Sequence, residues 1–297
     1  MLIELYLSSI FFKIFNILLY NNIKKASDKI MKKNVSIIAN LKDKYIKNKL
    51  YNLNKYLLKQ EEKVAYAYKN LKTEDMFSFN LDTCFYSAST IKFLVCLYLY
   101  QEAEKNPSIL NKKLKLKNED FKQGTGVLKN NKNKKEYNIK DLIYYTLKES
   151  DNTAYSKLVN FVTVEKLKQY GANLGAKHTL EGKDLFGITN CYDMIIYLTE
   201  LYNYLNKNTY LGKELKKIMA NPSYQIIKIK NINKNLFIRK YGSFGVAFHE
   251  VGIVYDKKPY ILVILTQKNN LKLKINYVNK VAKKINQINN LIVKNIK

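Results

Sequence analysis

Ser89 and Lys92 stand three residues apart in the stretch Phe85-Tyr86-Ser87-Ala88-Ser89-Thr90-Ile91-Lys92, just ahead of an unbroken apolar run from Phe93 to Tyr100. Small and hydroxylated residues followed by apolar ones read as a turn feeding a buried helix, on which positions three apart share a face. A serine hydroxyl is a weak nucleophile until a neighbouring base takes its proton, and a desolvated lysine amine can be that base. At a helix start the free backbone N–H groups and the positive end of the dipole favour a developing oxyanion. The pair reads as an activated serine. Lysine is so abundant in this chain that a Ser-x-x-Lys match is also expected by chance, and the pair gains meaning only from what accompanies it.

Two further clusters carry compatible chemistry. Ser150-Asp151-Asn152 follows an apolar helix, Leu142 to Leu147. Its hydroxyl can relay a proton and its carboxamide can hold a substrate amide, although Ser, Asp and Asn are also ordinary turn residues. Lys240-Tyr241-Gly242-Ser243 ends a β-rich run. The lysine can bind a carboxylate, the glycine lets a substrate backbone approach, and the Ser243 N–H can complete an oxyanion hole with that of Ser89. Its plain alternative is a strand that ends in a Gly-Ser turn.

The elements that must position these groups follow from periodicity. Residues 35–59 show helical spacing (Ile37, Ile38, Leu41, Tyr45, Ile46, Leu50, Leu53, Leu57). Lys63 to Tyr68 and Met76 to Phe79 read as a hairpin. Helices dominate from Ser89 to about residue 219, apart from a polar loop region at 110–140. Leu236 to Lys240, Val246 to Tyr255 and Tyr260 to Gln267 then read as strands, followed by an amphipathic helix over roughly 271–292. The expected fold is α+β, with an antiparallel sheet of about five strands built from both ends of the chain, flanking helices and an all-helical lobe. We divide it into a hydrophobic leader or membrane-associating segment (1–34) and a catalytic domain (35–297). The domain comprises an α/β lobe (35–87 and 220–297) and a helical lobe (88–219), and the cleft between them is the expected small-molecule site.

Composition narrows the function further. The chain carries 52 basic and 24 acidic residues, a net charge of +28. Lysines are scattered rather than gathered on one face, which fits a general compositional bias better than a designed nucleic-acid face and leaves association with membrane or anionic cell-wall surfaces open. Cys84, Cys96 and Cys191 are widely spaced, and His178 and His249 are the two histidines. No disulfide framework, metal site or cofactor motif is indicated.

Taken in order, Ser89-x-x-Lys92, Ser150-Asp151-Asn152 and Lys240-Tyr241-Gly242 resemble the Ser-x-x-Lys, Ser-Asp-Asn and Lys-Thr-Gly signature of class A β-lactamases and penicillin-binding proteins. Gly124-Thr125-Gly126-Val127-Leu128 and His249-Glu250-Val251-Gly252-Ile253-Val254-Tyr255 also look like sequence of that superfamily, over roughly 35–297. The resemblance implies that Ser89 is acylated, with Lys92 as base or relay, and that Ser150 passes a proton to the leaving nitrogen. It further implies that Asn152 contacts a substrate amide, that Lys240 and Ser243 hold a carboxylate, and that the partner is a β-lactam or cell-wall peptide. No cofactor is implied, and we expect a monomer acting outside the cytoplasmic membrane or associated with it.

Two departures stand out. The family's deacylating glutamate sits in a Glu-x-x-Leu-Asn setting after the Ser-Asp-Asn helix. Here the region 171–190 is shorter, and its candidate Glu181, with Asp184 nearby, stands in a different context and reads more plainly as a loop-surface glutamate. The family threonine is replaced by Tyr241, a far larger side chain. The readings are therefore a class A β-lactamase-like serine hydrolase with weak hydrolysis, a D-Ala-D-Ala peptidase-like or penicillin-binding enzyme, or an idle binding protein of the same fold.

Overall fold

The computed structural model describes residues 35–38, 44–59, 63–229, 236–255, 258–267 and 271–294. The leader expected over 1–34 lies outside them. The strands are β1 (Val35–Ile38), β2 (Val64–Asn70), β3 (Met76–Phe79), β4 (Phe85–Tyr86), β5 (Lys113–Lys115), β6 (Glu136–Asn138), β7 (Ile188–Thr189), β8 (Phe237–Phe244), β9 (Ala247–Val254) and β10 (Tyr260–Thr266). The α-helices are α1 (Lys44–Leu58), α2 (Lys92–Lys105), α3 (Ile139–Lys148), α4 (Asn152–Val162), α5 (Val164–Leu174), α6 (Cys191–Asn206), α7 (Tyr210–Ala220) and α8 (Leu271–Lys294). This is the expected α+β architecture.

The main sheet runs β1-β3-β2-β10-β9-β8, antiparallel throughout. The five expected strands all contribute, and β1 adds a sixth at one edge. Residues 35–38 were expected within a helix; they are a strand instead, and the helix begins at Lys44. The β-branched Val35, Ile37 and Ile38 favour that extended state.

Alternation along the central strands sorts side chains to two faces. Ala65, Ala67, Ile261, Val263 and Leu265 join a core beneath α2–α7, whereas Tyr66, Tyr68, Leu262 and Ile264 join a second core beneath α1 and α8. Both faces are covered, so β10 is buried along its whole length and reads as a continuous apolar run. Three tyrosines of the second core are buried with their hydroxyls bonded. Tyr66 donates to Asn54 (2.7 Å), Tyr68 to Asn289 (2.7 Å) and Tyr260 to Asn286 (2.9 Å).

α2 is the helix around which the first core assembles. It is apolar almost all round, and Phe93 to Leu97, Leu99 and Tyr100 are each no more than 1 % exposed. The helix starts that matter for the site are capped. Asn138 accepts from Asp141 N at the head of α3, Asp151 from Ala154 N at the head of α4, and Asn190 from Asp193 N at the head of α6.

Candidate active site

Ser89 lies in a 3₁₀ turn, Ala88–Ile91, that runs directly into α2 at Lys92. The turn is held from both sides. Thr90 Oγ1 donates to Ser87 O (2.6 Å), and His249 of β9 donates its Nε2–H to Tyr86 O (2.9 Å) while its Nδ1 accepts from Thr266 N (3.0 Å). Those two bonds fix the imidazole as the neutral Nε2–H tautomer. Ala88 carries φ +47°, a left-handed conformation costly for a residue with a Cβ and a form of strain that gathers at functional sites. Ser150, the residue expected to relay protons, is a second such case at φ +52°.

Gly242 explains how β8 comes so close to the turn. A Cβ at this position would stand 2.8 Å from Thr90 N and 3.0 Å from Ser89 N, so only glycine lets the strand lie against the nucleophile's backbone. β8 ends the sheet order, so among the described residues its outer edge has no ladder partner, and extended backbone can dock along it.

The two lysines meet at one hydroxyl. Ser150 Oγ accepts from Lys240 Nζ at 2.8 Å and from Lys92 Nζ at 3.4 Å. Lys92 Nζ also donates to Ser150 O (2.5 Å) and Asn152 Oδ1 (2.7 Å), and Lys240 Nζ to Tyr241 O (2.9 Å). All of Lys92, Lys240 and Ser150 are buried. Burial, and then the neighbouring Lys240 cation, hold the Lys92 amine well below the usual lysine value, with Asp151 opposing. Burial likewise brings Lys240 down to about 7, against the pull of Glu250. Two lysines whose charged forms burial disfavours, one at the nucleophile turn and one on β8, suit a base paired with an anion-holding cation. Among the described residues Lys92 makes no direct hydrogen bond to Ser89 Oγ; its amine is turned toward Ser150 and Asn152.

Asp151 and Asn152 lock the Gly124–Leu128 loop beside the site. Asp151 Oδ2 accepts from Val127 N (2.6 Å) and Leu128 N (2.8 Å), and Asn152 Nδ2 donates to Gln123 O (2.8 Å). Gly126, at φ +121°, leaves room for the carboxylate where a Cβ would lie 2.2 Å from Asp151 Oδ2. The loop motif and the Ser-Asp-Asn motif are thus one structural unit.

Two expected site residues stand elsewhere. The Glu181 carboxylate does not reach the cleft: its side chain is 60 % exposed and pairs with His178 Nδ1 (2.5 Å) on the surface. Tyr241 points away from Lys240 and Gly242, to the face of β8 it shares with Ser243; there its hydroxyl interacts with the Ser243 side chain, and its ring stacks on Tyr224 (centroids 6.2 Å) and meets Phe248 edge-on (5.8 Å). Ser243, not Tyr241, lines the cleft, a volume of about 660 Å³ that opens in front of Ser89.

The sequence reading missed the aromatic and apolar residues of that cleft. Leu185 and Phe186 line it, and Lys92 Nζ lies 5.5 Å from the Phe186 ring and 5.6 Å from that of Tyr155. Tyr155 donates to Leu185 O (2.5 Å). Among the described residues the one carboxylate lining the cleft is that of Asp184, and it is occupied: it accepts from Phe186 N, Gly187 N and the Tyr86 hydroxyl.

With this geometry, comparison with known proteins is decisive. The model of the beta-lactamase enzyme family (Beta-lactamase2) matches residues 46–294. The chain belongs to that family. Among curated proteins no sequence matches. Solved structures of β-lactamase and penicillin-binding type share the fold at low identity. PBP-A is 17 % identical, with a TM-score of 0.74 over 81 % of this chain and 95 % of its own. A mutant of PBP-A, solved as an acyl-enzyme complex with penicillin G, is 16 % identical, with a TM-score of 0.72 over 81 % and 96 % of the two chains. The β-lactamase of Sphaerobacter thermophilus DSM 20745 is 18 % identical, with a TM-score of 0.69 over 83 % and 97 %. Within this β-lactamase family, the fold is that of the penicillin-recognising serine hydrolases.

Proposed function

We propose that this protein is a serine acyl-transfer enzyme that opens β-lactams onto Ser89 and releases the acyl group slowly. The convergence of Lys92 and Lys240 on Ser150 Oγ, beside a nucleophile turn abutted by Gly242, carries this reading. In the proposed step the neutral Lys92 amine turns from Asn152 Oδ1 toward Ser89 Oγ and takes its proton as the oxygen attacks the lactam carbonyl. Catalytic hydrogen bonds of this kind tighten only once substrate is bound. The Ser89 and Ser243 N–H groups hold the oxyanion, and Lys240 with Ser243 holds the substrate carboxylate. The C–N bond then breaks, the departing nitrogen takes a proton from the Ser150 hydroxyl, and the Lys92 ammonium restores it. An ester on Ser89 remains.

Slow release follows from what surrounds Lys92. Leu185 and Phe186 present apolar surface there, Glu181 faces solvent, and Asp184 has its oxygens engaged, so no free carboxylate among the described residues stands ready to activate water in the cleft. The same feature favours a second reading, a penicillin-binding enzyme whose natural acyl donor is a cell-wall peptide. The two-lobe division, the membrane-associating leader and action outside the cytoplasmic membrane belong to this proposal.

The test is covalent labelling of the full-length protein with benzylpenicillin, read by intact mass. A one-to-one adduct that disappears in Ser89→Ala, with an unchanged circular dichroism spectrum, is the expected result. Labelling that survives the substitution removes Ser89 from its role.

A further inference from the structure

Lysines are spread along this chain, but carboxylates are not spread evenly over its surface. Helices α1 and α8, which cover one face of the main sheet, contain no acidic residue. The helices on the other face carry Glu102, Glu104, Asp141, Glu165, Glu200 and Glu214. On the acid-free side Lys44, Lys47 and Lys55 of α1 and Lys280 and Lys283 of α8 are exposed.

The two helices meet along one seam. Lys49, Asn52 and Tyr56 follow one another at helical spacing on α1, and Tyr277, Lys280, Lys284 and Gln287 do so on α8. The Tyr56 ring stacks on Tyr277 (centroids 6.1 Å), and Lys280 Nζ lies over the Tyr56 ring at 4.1 Å. Farther along the seam, Lys49, Asn52, Lys284, Gln287 and Ile288 line a groove of about 110 Å³. The groove has room for a single phosphate group. Two ammonium groups and two carboxamides offer it N–H donors, and among the described residues no carboxylate lines it. Like charges drawn together on a surface repel, so this seam is complementary to an anion.

The surroundings of the groove fit a lipid surface. Tyr45 is 57 % exposed, Tyr51 39 % and Ile275 41 %, and they stand among the exposed lysines. Amphipathic rings, apolar side chains and amines in this mixture settle at the headgroup level of a bilayer. The apolar stretch 2–20 precedes β1, and α1 is the next described element, so this face lies near that stretch in the chain. The nucleophile helix α2 belongs to the core on the opposite face of the sheet. A protein resting on α1 and α8 therefore keeps its cleft clear of the surface it rests on.

We propose that the α1–α8 face is a membrane-docking surface, and that its groove, through Lys49 and Lys284, takes the phosphate of an anionic phospholipid headgroup. This docking does not depend on the acyl-enzyme reading.

The experiment co-sediments full-length protein with vesicles of phosphatidylcholine, alone or with added phosphatidylglycerol. Binding should be stronger on the anionic vesicles by about tenfold or more, and it should weaken as salt rises. Lys49→Gln combined with Lys284→Gln should weaken binding to the anionic vesicles by on the order of tenfold. Lys168→Gln combined with Lys213→Gln removes the same charge from exposed positions on α5 and α7 and should change it by less than about twofold. Matching losses in the two double variants, zero included, would overturn the docking face. Equal binding to both kinds of vesicle would overturn it too, since an apolar leader acting alone would bind that way. Capture by soluble polyphosphate without binding to vesicles would overturn the lipid assignment in favour of a polymeric anion.

Discussion

Replacing Lys240 with methionine should make this protein more stable at neutral pH while abolishing its chemistry. Burial lowers the amine from its ordinary 10.5 to about 7 in the folded state. At pH 7 the unfolded chain holds that proton fully and the folded chain only half, so the mismatch costs the fold about 4 kcal/mol. Because the unfolded state binds more protons between pH 7 and 10.5, stability from this group rises with pH across that window, and below pH 7 the whole penalty remains. By pH 10 only about 1 kcal/mol of it is left. Methionine fills the same volume and removes the titration, but it forfeits the bonds to Ser150 Oγ and Tyr241 O, roughly 1–2 kcal/mol together. The variant should therefore be about 2–3 kcal/mol more stable at pH 7 and nearly equal to the wild type at pH 10. Urea unfolding of both proteins at the two pH values measures this, and the comparison cancels every group they share. A variant less stable at pH 7, or an offset that does not change with pH, would refute the reasoning that the site holds a desolvated, strained cation.

Other substitutions probe the remaining parts. Gly242→Ala places a Cβ 2.8 Å from Thr90 N, so β8 must withdraw from the nucleophile turn; we expect acylation to fall by on the order of a hundredfold, read by stopped-flow labelling with a chromogenic cephalosporin. Glu181→Gln should leave the acyl-enzyme lifetime unchanged in a mass time course, because that carboxylate is paired with His178 on the surface. The acylation rate should fall as pH rises through about 7, since Lys240 must be protonated to hold a carboxylate, and Lys240→Arg should move that falling limb out of the accessible range.

Much of this site was legible in the sequence because its chemistry is carried by short motifs. Ser89 and Lys92 are joined by one turn, and Ser150 to Asn152 by one helix cap, so local spacing already placed them. The strands were legible where alternation was clean, as in β2 and β10. Strand β1 was not, because Ile37 and Ile38 continue smoothly into the helical spacing of Ile46 and Leu50, and only pairing with β3 separates the two. Tyr241 sits next to Lys240 in sequence yet faces away from it; the period-two pleat and the Tyr224 ring that receives it decide this, and Tyr224 gives no local sign of its role. The aromatic lining of the cleft was invisible for the same reason. Tyr86, Phe186 and Phe244 meet only through the pairing of β4 with β7 and the packing of β8 on the nucleophile turn, contacts that no window of sequence contains.

The central claim is that this cleft acylates and then holds its acyl group, and one time course tests it most directly. Full-length protein is mixed with excess benzylpenicillin, and intact mass and residual drug are followed together. The account predicts a one-to-one adduct that persists while little more than one equivalent of drug is consumed. Rapid consumption of many equivalents with scarcely any adduct would contradict it, and would show that water reaches the ester past Leu185 and Phe186.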